Sequence, residues 1–175
     1  PPAPQESARP QPPPSRPAPM LPAVTLRLPD LAATGRLAAR LAALARPGDA
    51  ILLEGPLGAG KSALARAFLR AATGDPALEV PSPSFTLVQS YGLSGGIEAH
   101  HFDLYRLAGP AEVAELGWEE ARRGIVLVEW PDRLGAALRP PSALTLALAQ
   151  GAREEERLAT LSGWEDRLDG AALAA

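Results

Sequence analysis

The octapeptide GPLGAGKS at residues 55–62 constrains the fold of this chain more than any other feature. It matches the pattern G-x-x-x-x-G-K-S/T, in which glycines allow backbone N–H groups to turn inward around phosphate oxygens. An apolar run typical of a buried strand precedes it at 50–54, and a helical pattern follows over 61–73. A strand, a glycine-rich turn and a helix N-terminus in this order predict a phosphate-binding loop.

Two positions of this octapeptide carry specific chemistry. Of the 17 basic residues only Lys61 is a lysine, which suggests that arginine is used wherever either cation serves. A compact ammonium suits the outer phosphates of a nucleotide better than a planar guanidinium does. Ser62 offers a small hydroxyl ligand for Mg²⁺. The predicted nucleotide contacts are the loop and the residue after it: Gly55, Pro56, Leu57, Gly58, Ala59, Gly60, Lys61, Ser62 and Ala63.

Strand and helix patterns alternate along the rest of the chain. Strands are predicted at Val24–Leu28, Ala50–Glu54, Phe85–Tyr91, Ile97–Leu104, Ile125–Val128, Ala143–Ala149 and Arg157–Leu161. Helices are predicted between Asp30 and Pro47, over 61–73, in short pieces over 110–123, from Pro131, and over Trp164–Leu173. This alternation predicts an α/β domain over 23–175 with a central, mainly parallel β-sheet and flanking helices, the P-loop NTPase fold.

The composition excludes several classes of protein. Residues 1–22 contain half of the 20 prolines, and we expect them to form a disordered extension without chemistry. The chain has no cysteine, which excludes disulfides, cysteine-ligated zinc and thiol catalysis. No apolar run is long enough to span a membrane. A net charge of −3 argues against strong, sequence-independent binding of nucleic acid.

Two acidic residues are candidate ligands at the ends of predicted strands. Glu129 follows the apolar run 125–128 and precedes Pro131, which places it at a carboxyl strand end, where ligands bind in parallel α/β sheets. Asp103 lies in HFDLYRL at 101–107, and a buried aspartate needs a cation or donors. Both are candidate Mg²⁺ ligands, and Glu129 is also a candidate base for an attacking water. The alternatives are a solvated strand-end acid and a capping or turn aspartate.

The hydroxyl-rich loop SPSFT at 82–86 is a further candidate element. Such a loop can respond to the γ-phosphate and Mg²⁺ as switch loops do, which makes Thr86 a candidate contact. His100 and His101 are adjacent in a predicted strand and point to opposite faces, so they do not bind one metal together. The tryptophans are interpreted as packing residues: Trp118, Trp130 and Trp164.

Five segments resemble the bacterial TsaE (YjeE) family in their order and spacing. They are LEGPLGAGKS at 53–62, SPSFTLVQSY at 82–91, HFDLYRL at 101–107, ELG at 115–117 and VEWP at 128–131. The resemblance extends over about residues 24–162. Ser62 and Ser84 replace threonines that are commoner in the family, and both keep the hydroxyl.

The resemblance implies a small cytoplasmic P-loop ATPase that is required for threonylcarbamoyladenosine modification of tRNA. Its implied substrate is ATP, its implied cofactor is Mg²⁺, and its implied partner is the TsaD–TsaB transferase complex, which transfers the threonylcarbamoyl group itself. By similarity Lys61 holds phosphates, Ser62 and Glu129 serve Mg²⁺, and Asp103 supports the metal or water. Two further contacts near the nucleotide are implied outside the loop: Thr34 and Arg157.

Two other functions remain open from the sequence. One is a small-molecule or nucleotide kinase on the same fold, although no arginine cluster has the spacing of a kinase lid. The other is a nucleotide-gated binding module without turnover, against which the two acids argue. We predict that the chain alone hydrolyses ATP weakly, because transition-state charge is poorly neutralised when no arginine is supplied in trans.

Overall fold

One seven-stranded sheet organises the computed structural model, which describes residues 23–169 and Leu173. Its strands are β1 (Val24–Leu28), β2 (Ala50–Glu54), β3 (Val88–Gly92), β4 (Glu98–Asp103), β5 (Ile125–Glu129), β6 (Leu144–Gln150) and β7 (Arg157–Ser162). Their order is β1-β7-β6-β2-β5-β4-β3. The central strands β6, β2, β5 and β4 pair in parallel, while β7 pairs antiparallel with β6, β1 with β7, and β3 with β4. The chain is therefore an α/β protein with a mixed, mainly parallel sheet.

Helices cover both faces of this sheet. The α-helices are α1 (Leu31–Leu44), α2 (Lys61–Thr73), α3 (Pro110–Ala114), α4 (Trp118–Ala121) and α5 (Gly135–Leu138), and 3₁₀ turns occupy Ser94–Gly96 and Pro131–Leu134. Helices α1 and α2 pack against each other in one core, and α3 and α4 contribute to the other. Helix α1 begins at a capping residue that the local sequence supplies. The carboxylate of Asp30 accepts a hydrogen bond from the N–H of Ala33 at 2.8 Å.

The alternation of side chains along the central strands decides which residues face α2. In β5, Ile125 and Leu127 belong to the core beneath α1 and α2, while Val126 and Val128 belong to the opposite core. Glu129 continues the first series and therefore faces α2. All five residues of β5 are buried, as expected for a strand covered by helices on both faces.

Two predicted elements differ from the observed ones. The strand predicted at 85–91 begins only at Val88, because the chain turns first: the N–H of Leu87 donates to the carbonyl of Pro83 at 2.7 Å, and Leu87 has a positive φ of 68°. Of the helix predicted over 164–173, residues 165–167 form a turn after Trp164, whose φ is 54°, and Leu173 is helical. A positive φ is uncommon for a bulky aromatic residue, and here it marks the turn.

Some predictions concern parts of the chain that lie outside the described residues. These are the extension at 1–22 and residues 170–172 of the predicted terminal helix. Within the described residues, no helix has the length and apolar character that a membrane crossing requires.

Candidate functional site

The glycine-rich loop connects β2 to α2 at the carboxyl ends of the parallel strands. Its first glycine, Gly55, has a φ of 142°, and a Cβ there would lie 2.5 Å from the carbonyl oxygen of Leu148. Any larger residue would therefore push the loop away from β6. Gly60 has a φ of 101° and forms the N-cap of α2. The loop thus reaches the first turn of a 13-residue helix, whose unpaired N–H groups favour anions.

A cavity of about 310 Å³ opens above this loop. The loop and the start of α2, residues 57–63, form one wall of the cavity. The other wall is formed by residues from β4, β5 and the connections that follow β4, β5 and α2: Ser82, Ser84, Asp103, Tyr105, Glu129 and Trp130. The cavity therefore brings together the loop and both acids that were predicted at strand ends.

Lys61 is held inside this cavity wall, with 5% of its surface exposed. Its ammonium donates hydrogen bonds to the carbonyl oxygens of Gly55 and, at 2.9 Å, of Pro56. The indole ring of Trp130 covers it, with Nζ 4.1 Å from the ring centroid. Burial lowers the pKa of Lys61 from its usual value, and the carboxylates of Glu129 and Asp103 oppose this shift.

Glu129 is also buried, with 3% of its surface exposed. One carboxylate oxygen accepts a hydrogen bond from the hydroxyl of Ser62 at 3.2 Å. The other lies 3.1 Å from Nε2 of His101. The strand register sets Glu129 directly beside Asp103 on β4, so two carboxylates face the same helix from neighbouring strands.

Asp103 combines a turn contact with a place in the cavity. One carboxylate oxygen accepts the N–H of Tyr105 at 3.1 Å, and the other accepts the hydroxyl of Ser84 at 3.4 Å. The turn role that the sequence left open is therefore present, and the side chain still lines the cavity. Thr86, another predicted contact, is exposed in the loop at 82–86 and does not line this cavity.

Thr34 and Arg157 lie on the other side of the same loop. They line a smaller cavity of about 170 Å³ together with Ala59, Gly60 and Ala63. Gly60 and its neighbours line both cavities. The structure therefore places these two residues next to the loop but apart from the two acids.

The oxygen atoms in the larger cavity suit Mg²⁺ as part of its ligand shell. They are hard oxygen atoms, from the hydroxyl of Ser62 and the carboxylates of Glu129 and Asp103. Over the described part of the chain, no three histidine, cysteine, aspartate or glutamate side chains cluster in a way that could hold a metal ion. Such a set fits an ion that takes one or two protein carboxylates and completes its shell with phosphates and water, as Mg²⁺ does.

Sequence reasoning did not identify two residues of this site. Trp130, interpreted as a packing residue, also covers Lys61 and lies against Tyr105 with ring centroids 4.9 Å apart. His101 contacts Glu129 across 28 positions of sequence. A signal for His101 was available, because it lies two residues before Asp103 in a strand and therefore on the same face.

Known proteins resemble this chain in sequence and in fold. The family model described as "Threonylcarbamoyl adenosine biosynthesis protein TsaE" matches residues 28–159. The crystal structure of Bacillus subtilis YdiB resembles this chain with a TM-score of 0.68 and 28% identity, covering 89% of this chain and 94% of the other.

Proteins named tRNA threonylcarbamoyladenosine biosynthesis protein TsaE are similar in sequence. The one from Rickettsia felis is 41% identical over 109 residues, which are 62% of this chain and 63% of that protein. The one from Bacillus subtilis is 33% identical over 127 residues, 71% of this chain and 77% of that protein. The match thus spans less than two thirds of the Rickettsia protein. It covers most of this chain, and the chain belongs to the TsaE family of tRNA threonylcarbamoyladenosine biosynthesis.

Proposed function

We propose that this chain binds ATP with Mg²⁺ on a P-loop NTPase fold and hydrolyses it. We further propose that this activity supports threonylcarbamoyladenosine modification of tRNA by a TsaD–TsaB transferase complex in the cytoplasm. One observation carries the proposal of ATP hydrolysis: a glycine-rich loop with a buried lysine faces two strand-end carboxylates across a single cavity. Family membership supports the pathway and the partner.

The loop supplies the groups that bind phosphate. The backbone N–H groups at the start of α2 and the ammonium of Lys61 offer positive charge on the same side of the cavity. Lys61 now donates to neutral carbonyl oxygens. A phosphate oxygen is a charged acceptor, and charge-assisted hydrogen bonds are about twice as strong as neutral ones. Phosphate therefore competes well for this ammonium.

The metal would be held by Ser62 and by the acids on β4 and β5. We assign Ser62 and Glu129 to Mg²⁺, directly or through water, and Asp103 to a supporting role. When bound, Mg²⁺ neutralises charge on the phosphates. The hydrogen bond between Ser62 and Glu129 already holds these two ligands at 3.2 Å from each other.

Glu129 is the best-placed base for an attacking water. It lies at the cavity, its carboxylate is fixed by two neighbours, and His101 orients it from behind. Among the residues that line the larger cavity there is no arginine. Charge on the transferring phosphoryl group is therefore only partly neutralised by this chain, which supports weak hydrolysis alone and a higher rate with a partner.

Phosphate release and binding assays test this proposal. Purified full chain is incubated with ATP, with and without Mg²⁺ and the TsaD–TsaB pair, and free phosphate and complex formation are measured. We expect slow release alone, faster release with the pair, and association that depends on nucleotide. Failure to bind ATP would refute the proposed ATPase, and failure to associate in any nucleotide state would refute the proposed partnership. A phosphorylated acceptor in place of free phosphate would indicate a kinase instead.

A further inference from the structure

We infer that Arg157 is a positioning residue that braces the phosphate loop from behind and contacts neither the ribose nor the base of the nucleotide. The inference deepens the proposed function and rests on it, because bracing matters only if the loop binds phosphate. It differs from the role that family resemblance implied, in which Arg157 lies near the nucleotide as one of its contacts.

The guanidinium reaches the loop from a distant part of the chain. Arg157 is the first residue of β7, and its Nε donates to the carbonyl of Ala59 at 3.0 Å. Its Nη2 donates to the carbonyl of Gly58 at 3.3 Å. The side chain also lies close to Gly60, where an added Cβ would be 3.7 Å from Nε. Two successive peptide units of the loop are therefore held by one planar group.

Holding these carbonyls fixes the N–H groups of the same peptide units. In a trans peptide the C=O and the following N–H point in opposite directions. The unit after Gly58 directs the N–H of Ala59 to the carbonyl of Pro56 at 3.1 Å, which closes the turn of the loop. The unit after Ala59 directs the N–H of Gly60 away from Arg157. Gly60 also lines the larger cavity, and on this proposal its N–H donates to phosphate there.

The guanidinium is itself held in place by the turn between β6 and β7. Its Nη1 donates to the carbonyls of Glu154 and Glu156 at 2.6 and 2.9 Å. Nε2 of Gln150 donates a hydrogen bond to the carbonyl of Glu154 at 2.9 Å, and the N–H of Gly151 donates one to the carbonyl of Glu156 at 2.9 Å. The brace is therefore anchored at both ends, as a preorganised site requires.

Every hydrogen-bond acceptor of Arg157 in the described part of the chain is a neutral carbonyl. Arg157 forms no ion pair there, whereas Arg153 in the same turn contacts Glu155 and Glu156 at 3.7 and 3.6 Å. The positive charge of Arg157 thus has no hydrogen-bonded carboxylate against it. It adds to the potential that the loop presents to a phosphate.

Inorganic tripolyphosphate separates bracing from direct contact with the nucleoside. A residue that shapes the loop affects every ligand with phosphates, including tripolyphosphate. A residue that contacts ribose or base affects ATP and leaves tripolyphosphate alone. The test is calorimetric titration of the full chain with each ligand in the presence of Mg²⁺.

Two variants and two controls are titrated. Arg157→Met keeps an aliphatic side chain but removes the guanidinium and its charge. Arg157→Lys keeps the charge but removes the planar guanidinium. Arg153→Met is the matched control in the same turn, and Lys61→Ala reports on phosphate binding itself. Thermal unfolding of each variant fixes a temperature at which it is folded.

We expect Arg157→Met to lower the affinities for ATP and for tripolyphosphate by the same factor, about 10-fold or more. This is the effect of losing one hydrogen bond to a charged group. Arg157→Lys should weaken both, to a smaller extent, and Arg153→Met should change neither. Unchanged affinity for tripolyphosphate in folded Arg157→Met would overturn the inference, whether or not ATP binding weakens. If the parental chain and Lys61→Ala bind ATP equally poorly, the proposed function fails as well. If the parental chain binds ATP and Lys61→Ala does not, the proposed function stands, whatever the result for the Arg157 variants.

Discussion

Two glutamates of this chain are equally buried, each with 3% of its surface exposed, yet their surroundings are opposite. Glu156, at the end of the turn between β6 and β7, pairs with Arg27 at 2.7 Å and lies 3.6 Å from Arg153. Glu129, at the cavity, has among the described residues only the hydroxyl of Ser62 and the imidazole of His101 within hydrogen-bond distance. A buried carboxylate needs partners that offset the cost of its burial, and of these two glutamates Glu156 has an arginine as its partner.

The same contrast holds for the cations of the two regions. The hydrogen bond to Glu156 raises the pKa of Arg27, whereas burial lowers the pKa of Lys61. No ion pair joins Lys61 to Glu129 or Asp103 in the described residues. Charges that stabilise the fold are paired with each other. At the cavity, Lys61 donates to neutral carbonyl oxygens and Glu129 accepts from a hydroxyl, which leaves both signs available to a ligand that carries phosphate and a metal ion.

The largest expected effect is on hydrolysis, in Glu129→Gln. Glutamine keeps the shape and the hydrogen bond with Ser62 but cannot accept a proton from water. Phosphate release should fall on the order of 100-fold to 1,000-fold, while the affinity for ATP measured without Mg²⁺ changes little. Glu119→Gln, an exposed site on α4, controls for loss of one negative charge. Release at the parental rate in Glu129→Gln would show that this acid is not the base.

A smaller effect is expected on binding, in variants of Lys61. Lys61→Met should weaken ATP on the order of 100-fold, because a charge-assisted contact to phosphate is lost. Lys61→Arg keeps the charge but presents a wide fork in the space between Trp130 and two carbonyls. We expect it to restore less than half of the lost binding free energy. Full recovery by arginine, measured by calorimetry, would contradict the argument from shape.

A still smaller effect is expected when the ring over the ammonium is removed. Trp130→Leu loses the cation–π contact with Lys61, and the ATP affinity should change by about fivefold. Trp130→Phe keeps an aromatic face and should lie between leucine and the parental residue. Equal affinities for all three proteins in a fluorescent-nucleotide competition assay would mean that the ring only packs.

The smallest effect concerns stability and belongs to the paired region. The hydrogen bond from Arg27 lowers the pKa of Glu156 below its usual value of 4.5, so the unfolded chain takes up this proton first. The stabilisation is therefore complete above about pH 5 and is lost as the pH falls through the lowered pKa. Urea unfolding should show Glu156→Gln less stable than the parental chain at neutral pH, with the gap closing in acid. If the difference in stability between the two proteins widened in acid, the pKa of Glu156 would be raised in the folded chain and not lowered.

Much of the fold could be predicted because its signals are local. The apolar run of β5 and the strand–glycine–helix order around residues 55–62 each lie within one short segment. Carboxyl-end reasoning made Glu129 a candidate ligand and the cost of burial made Asp103 another, and the register sets them side by side. Their roles in metal binding and catalysis stay predictions.

The partners of some residues could not be predicted because distant segments supply them. His101 meets Glu129 only after β4 and β5 pair, and Arg157 meets the loop across 98 positions of sequence. The late start of β3 depends on Leu87 adopting a conformation that leucine rarely takes. Local propensity gives no warning of such a turn, since the surrounding scaffold imposes it.

Trp130 follows Glu129 directly and has a φ of 60°, a value that suits glycine better than a bulky aromatic. The backbone and the indole ring therefore make conflicting demands at this position. Glycine would relax the main chain and uncover Lys61; tryptophan shields the ammonium at a conformational cost of order 1 kcal/mol. A screen for heat resistance and a screen for nucleotide turnover should consequently select different residues at this one place.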